Sequence, residues 1–389
     1  VMQHLRPKNM KKLIYPLIIC LVFSNCESNK ENTCKLSGQV IDRDSKVLIL
    51  NKQTEDQRNH GIEIPIDSSG AFYYELSFQF LEAYELIFKD ELEEGAWRPI
   101  YFFPDNDEIE FTLFPIQKAD SNKIIGSNLS LKQYEYEQII SDTFYKRYMY
   151  WEQKMDSLKK CPELNAKYEE LISDSINAII EAVPLFELNY AVEEQNIYGY
   201  SSLLKILRDE KNRRLYDIDT LIRYCNLFEK KFPNHPYNEI AKYRLNGLTN
   251  IKVGGEFIDF SALDTSGTTI KFSNLVNANK LTLLDLWAKW CGPCIRKSQK
   301  VVPIYEKYNN SGFNVIGVVG GVNSYNAYQE AVNKYNYEWV VLAEINDENK
   351  LWEKYGISKG GGGQFLIDRD GKIIAINPTP EELEKFIID

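Results

Sequence analysis

Cys291 and Cys294, three positions apart, are the residues of this chain whose type and spacing point most directly to chemistry. They stand in Trp287-Ala-Lys-Trp-Cys-Gly-Pro-Cys294. The apolar run Leu281-Thr-Leu-Leu-Asp-Leu286 precedes them, and Ile295 to Tyr308 follows, with Val301, Val302, Ile304 and Tyr305 at helical spacing. A buried strand therefore hands over to a helix at the dithiol. Unpaired N–H groups at a helix N-terminus stabilise a thiolate, and only the thiolate attacks a disulfide. The second cysteine lies one helical turn on, close enough to bridge. Pro293 sets φ for the first turn and lacks an N–H that would need a partner. Asp285 interrupts the apolar strand six positions before Cys291. Desolvation at such a position raises the pKa of a carboxyl.

Other uses of a C-x-x-C fit less of the sequence. Zinc needs more ligands, and no second Cys or His pair has suitable spacing, so no metal is expected. Haem attachment needs a His after the second Cys, where Ile295 stands. A plain structural disulfide stays open, although it leaves Asp285 without a role.

From about Val253 to Asp389 the chain resembles thioredoxin and the membrane-tethered TlpA/ResA-like thiol-disulfide oxidoreductases. Besides W-C-G-P-C, the resemblance includes an opening strand Phe257-Ile-Asp-Phe260, the turn Asp264-Thr-Ser-Gly267, and Lys271-Phe-Ser-Asn-Leu275. It continues through Phe313-Asn-Val-Ile-Gly-Val-Val319 and Phe365 to Ile374, whose last two strands are joined by Asp370-Gly371. It implies an α/β thioredoxin fold for residues 251–389. It also implies that Cys291 attacks a substrate disulfide, Cys294 resolves the mixed disulfide, and Asp285 relays a proton to or from Cys294. Trp287, Trp290, Gly292 and Pro293 would shape the site, with no cofactor beyond the redox-active disulfide. The acid at Asp285 is thioredoxin-like, whereas the hairpin position that carries Glu in ResA-like proteins is Leu263 here. Peroxiredoxins keep a Thr three residues before the reactive Cys; Ala288 stands there, which disfavours peroxidase chemistry. Gly-Pro between the cysteines favours reductase or isomerase work. One departure concerns the cis-Pro loop that normally faces the dithiol. In Lys359-Gly-Gly-Gly-Gly-Gln-Phe365, Gly362 takes the Pro position. A cis bond without Pro costs about 3–4 kcal/mol, so the bond is either trans or held cis by its surroundings. The glycines lead us to expect a flexible clamp for a wider cleft.

The elements around this site divide the 389 residues into further modules. Residues 27–125 read as a small antiparallel β-sandwich-like domain, from runs such as Leu36 to Ile41, Lys46 to Leu50, Ala71 to Leu76, Tyr84 to Phe88 and Glu108 to Leu113. Residues 126–250 read as helical, punctuated by Pro162, Pro184, Pro233 and Pro236. The aromatic run Tyr145 to Trp151 is expected to be a packing face, and His235 a helix-start residue without metal-binding company.

Residues 1–26 read as an address. A start at Met10 is followed by Lys11 and Lys12 and by an apolar run, Leu13 to Phe23, too short to span a bilayer. Phe23-Ser-Asn-Cys26 resembles a bacterial lipobox, which implies lipidation of Cys26; simple secretion is the alternative. The expected location is the bacterial cell envelope, with a periplasm-facing protein held at a membrane surface. Composition is that of a globular chain, with 44% hydrophobic and 26% charged residues, so a mainly disordered or polytopic membrane protein is excluded. A net charge of −10 disfavours nucleic acid as a partner. The expected partners are protein thiols or disulfides and an unidentified electron donor. The competing reading is a scaffolding lipoprotein that keeps the fold without the chemistry. Seven cysteines are too few for a disulfide framework. Cys34, Cys161 and Cys225 are left with at most one pair among them, Cys161 with Cys225, or remain buried thiols.

Overall fold

The computed structural model describes residues 31–388 except 57–60, 161–165, 209–214 and 358–360. The address, with Cys20 and Cys26, and Cys161 lie outside the described residues. No helix among the described residues is long and apolar enough to cross a membrane.

The first module holds eight strands: β1 (Asn32–Val40), β2 (Val47–Lys52), β3 (Ile62–Pro65), β4 (Ala71–Phe78), β5 (Tyr84–Phe88), β6 (Ile100–Phe102), β7 (Glu108–Leu113) and β8 (Lys123–Ile125). They form two four-stranded sheets, in the orders β4-β1-β7-β8 and β3-β2-β5-β6. A short helix, α1 (Lys89–Glu94), follows β5. Side chains from both sheets, among them Leu36, Leu48, Leu86, Phe102 and Phe111, share one core, as alternating in–out patterns require. The pairing is antiparallel except between β1 and β7, which run parallel from Lys35↔Glu108 to Val40↔Leu113. That pair departs from the all-antiparallel expectation, because strand direction depends on long-range order and not on local alternation.

The helical module follows: α2 (Asn128–Ile140), α3 (Lys146–Lys159), α4 (Ala166–Glu194), α5 (Ile197–Arg208), α6 (Ile218–Lys231) and α7 (Tyr237–Thr249). Buried side chains of α5 come from every side of the helix, so it is the axis of the module. It meets the sandwich through Phe103, whose ring stands edge-on to Tyr198 with centroids 6.0 Å apart. The Tyr237 hydroxyl accepts the Ala83 amide at 2.7 Å. His235 accepts the Tyr237 amide on Nδ1 and places Nε2 3.0 Å from the Leu81 carbonyl, which accounts for its burial without a metal. The aromatic run at Tyr145 to Trp151 does not pack as expected: α3 has no buried residue, and Tyr145 and Tyr150 are more than half exposed. Pro184 lies inside α4 and does not end it.

The third module is a seven-stranded mixed sheet, in the order β10-β9-β13-β12-β11-β14-β15. Its elements are β9 (Ser261–Leu263), β10 (Thr269–Lys271), α8 (Phe272–Asn277), β11 (Leu281–Ala288), α9 (Gly292–Tyr308), β12 (Phe313–Val322), α10 (Tyr325–Tyr335), β13 (Val340–Ile345), α11 (Leu351–Lys354), β14 (Gly363–Asp368), β15 (Ile373–Ile376) and α12 (Pro380–Ile388). Central β11 runs parallel to β12 and antiparallel to β14. Helices cover both faces, which is why β11 reads as a continuous apolar run. Leu283 and Trp287 join the core under α9, α10 and α12, while Leu284 and Leu286 join the core under α8 and α11. Phe257 to Phe260 is not the expected strand. The chain first touches the sheet at Glu256, bridged to Lys372 beside β15, and forms its first strand there at β9; Phe257 and Phe260 pack on Phe272 instead.

Candidate active site

Cys291 caps α9 and is joined to Cys294 by a disulfide, with Cα atoms 5.2 Å apart. Its sulfur accepts the backbone N–H of Cys294 at 3.3 Å. The helix N-terminus is thus aimed at the first sulfur, where it would stabilise a thiolate after reduction. Gly292 and Pro293 form the first two helical positions, so Pro293 sits where a missing N–H costs nothing. Cys291 is 6% exposed, Cys294 half-buried.

Asp285 is placed by alternation in β11 on the same face as Leu283 and Trp287, under α9, and is 2% exposed. Burial pushes its carboxyl up to about 6, against hydrogen bonds from Ser298 and Gln364 and the Lys297 charge. Ser298 lies four positions beyond Cys294 in the helix. Its hydroxyl donates to Asp285 Oδ2 and lies 3.1 Å from the Cys294 carbonyl oxygen. Gln364 is the register partner of Asp285 across β11 and β14, and its Nε2 donates to Oδ1 at 3.1 Å. Asn377 closes the far side. It exchanges hydrogen bonds with the Gln364 backbone and accepts from Lys297 Nζ at 2.6 Å. Asp285 is therefore tied through one hydroxyl to the backbone of the second cysteine. Burial also lowers the pKa of Lys297, with Asp285 opposing the shift.

The flanking aromatics rest on glycines. Trp287 is fully buried and stands edge-on to Tyr335 and Tyr337, at 5.3 and 5.9 Å between centroids. The Trp290 ring lies over Gly321, where an added Cβ would come within 1.5 Å of it, at a φ of +67° that itself favours glycine. Replacing Gly321 by Ala should displace Trp290 and cost about 1–3 kcal/mol. Urea titration, with tryptophan emission as a second readout, checks this.

Of the loop expected to act as a flexible clamp, residues 358–360 lie outside the described residues. Every described peptide bond is trans, including that at Gly362. A Cβ at Gly362 would lie 2.2 Å from the Leu286 carbonyl and 2.8 Å from Cys294 Sγ, so the backbone there is packed against the disulfide. Trp352 Nε1 donates to the Gly361 carbonyl at 2.8 Å, which ties the loop from outside. Glu344 is a second buried carboxyl near the site, pushed up to about 7 by burial. It accepts from Asn349 Nδ2 at 2.8 Å and the Leu351 amide at 3.3 Å. A small cavity beside Trp290 is lined by Glu344, Gly320, Trp352 and, from the sandwich module, Asp56. Of the other cysteines, Cys34 and Cys225 are free buried thiols, raised to about 11 and about 12 by desolvation, so Cys225 is not paired.

Ser298, Gln364, Asn377, Trp352, Glu344 and Asp56 were not found from the sequence. Only Ser298 carried a signal, as a polar residue one turn beyond Cys294 on the inward face of an amphipathic helix.

Residues 253–376 match the AhpC/TSA family. The C-terminal module is a thioredoxin-superfamily domain. A thiol-disulfide oxidoreductase ResA from Bacillus thuringiensis (strain Al Hakam) is 28% identical over 140 residues, which are 35% of this chain and 78% of the relative. ResA of Bacillus subtilis (strain 168) is 25% identical over 130 residues, 33% of this chain and 69% of that protein. Among solved structures, the thioredoxin domain of a thiol-disulfide oxidoreductase from Bacteroides vulgatus aligns with TM-score 0.32 and 22% identity, over 35% of this chain and 98% of that one. By homology the domain falls with the thiol-disulfide oxidoreductases of this superfamily.

Proposed function

We propose that the protein exchanges disulfides in substrate proteins through Cys291 and Cys294, held by a lipid on Cys26 at a membrane facing the periplasm. The observation that carries the chemistry is the geometry at the start of α9. One sulfur receives a helix N–H, and the second cysteine is linked through Ser298 to a buried acid of raised pKa. In the reducing direction the Cys291 thiolate attacks a substrate disulfide. A new S–S bond forms, and the departing substrate sulfur takes the electron pair. Asp285, as carboxylate, takes the proton of Cys294, whose thiolate then attacks Cys291. The substrate leaves as a dithiol and the enzyme is left oxidised. A thiol donor outside this chain must then return two electrons. The proposed exchange calls for no dissociable cofactor, since the reduced Cys291–Cys294 dithiol itself carries the two electrons.

Gly-Pro between the cysteines supports reduction or isomerisation over oxidation, by resemblance to thioredoxin. Asp56 at the cavity beside Trp290 supports a role for the sandwich in shaping what approaches the dithiol. The test is reduction of insulin disulfides with dithiothreitol as donor. Wild type should accelerate precipitation of the insulin B chain, and Cys291→Ser should leave the uncatalysed rate. An inactive wild type would favour a scaffolding lipoprotein instead.

A further inference from the structure

The loop that faces Cys294 is made of glycine where a proline would have stiffened it, yet its backbone is placed against the sulfur. Something outside the loop must hold it, because glycine is the residue with most backbone freedom to lose. The hydrogen bond from Trp352 Nε1 to the Gly361 carbonyl, at 2.8 Å, is that hold. Trp352 is itself fixed. Its ring fills the space over Gly320, where an added Cβ would lie 2.3 Å from it.

Helix α11, which carries Trp352, is too short to hold its own position and is pinned at two points. At its start the buried Glu344 carboxylate accepts the Leu351 amide. One residue after Trp352, Glu353 receives both Nε and Nη2 of Arg244, at 2.6 and 2.8 Å. Arg244 belongs to α7 of the helical module, is buried, and also donates to the Leu204 carbonyl of α5 at 2.6 Å. A two-pronged guanidinium–carboxylate pair fixes orientation as well as distance. The helical module is thus connected by named contacts, Arg244 to Glu353 to Trp352 to Gly361, with the backbone beside Cys294.

We propose that Trp352 is a positioning residue for the Gly361–Gly362 backbone at the dithiol, and that the helical module sets it through Arg244 and Glu353. The consequence for exchange rests on the oxidoreductase reading above; the positioning itself does not. Two full-length variants test it. Trp352→Phe keeps an aromatic ring and removes the N–H. Arg244→Met with Glu353→Met replaces the buried ion pair by side chains of similar volume, a change that folded proteins often tolerate. Hydrogen–deuterium exchange at the amides of residues 361–364 should be about tenfold faster in both, the value of one net hydrogen bond. Wild-type protection in both variants overturns the proposal. Acceleration in Trp352→Phe alone overturns the part assigned to the helical module. With insulin as substrate, Trp352→Phe should lower kcat/KM about tenfold, mainly through KM, because the backbone flanking the dithiol, where a substrate must approach, has been loosened. Faster amide exchange with unchanged kinetics overturns its role in substrate docking. Faster amide exchange in a protein whose wild type reduces no disulfide leaves the positioning intact and removes the oxidoreductase reading instead.

Discussion

Under the proposed mechanism, replacing Cys294 by Ser should stop turnover and leave a trap. Substrate proteins should remain attached to Cys291 as mixed disulfides, released only by added thiol. Cys291 receives the helix N–H, an arrangement that favours its sulfur as the attacking thiolate. Once the substrate is joined to it, escape requires a second thiol one helical turn away. A serine hydroxyl at 294 keeps the shape but cannot form the S–S bond. Turnover should fall by about three orders of magnitude while the first attack persists. The reciprocal variant, Cys291→Ser, should lose turnover and trap nothing. Non-reducing electrophoresis of envelope extracts, followed by mass spectrometry of the bands that collapse on reduction, reads both. The near-complete burial of Cys291 makes the comparison decisive, because access and thiolate stabilisation point to different sulfurs. Capture by Cys291→Ser but not by Cys294→Ser would assign the attack to Cys294 and overturn the order of steps.

Much of this site could be read from sequence because its chemistry is local. The strand–dithiol–helix order lies within Leu281 to Tyr308, and Asp285 is visible as one acid in an apolar run. What could not be read is what surrounds Asp285. Gln364 reaches it only because β14 pairs with β11 in one register, with Asp285 opposite Gln364. A shift of one residue would turn that amide to the other face, and no local pattern fixes the register. Arg244 is hidden for the same reason, since its contact with Glu353 crosses 109 positions, and Trp352 because no pattern in the nine positions to Gly361 shows that its ring turns back on that carbonyl. At Gly361 and Gly362 the contacts with Trp352, Leu286 and Cys294 likewise follow no local pattern. In the helical module, Tyr145 and Tyr150 carry the apolar surface of a packing face, yet each stays more than half exposed, because packing depends on which elements meet the helix. The parallel β1–β7 pair and the free thiol of Cys225 likewise depend on which distant elements meet.

Asp285→Asn should make the oxidised protein more stable at pH 7 and worse at disulfide exchange. Burial raises the carboxyl from 3.8 to about 6, a difference between folded and unfolded chains worth about 3 kcal/mol. The folded state prefers the protonated form. The stabilisation is therefore complete below pH 4, declines as pH rises through about 6, and is absent at pH 7, where the buried group must be ionised. Asparagine fills the same volume, keeps an oxygen for Ser298, and never ionises. Urea titrations between pH 4 and 8 should show the wild type losing about 3 kcal/mol relative to Asp285→Asn, with the curves converging at low pH. Parallel curves would mean that Asp285 carries no such cost, and the relay would lose its physical basis. The same substitution removes the group proposed to take the Cys294 proton. Release of the mixed disulfide should slow by about 10²–10⁴-fold, the usual range for loss of a general base. The rise in the wild-type release rate through pH 6 should disappear with it. A residue that only packed would give the stability change without the kinetic one. The two readouts together therefore separate an acid held at the centre of the sheet for chemistry from one that is merely buried there.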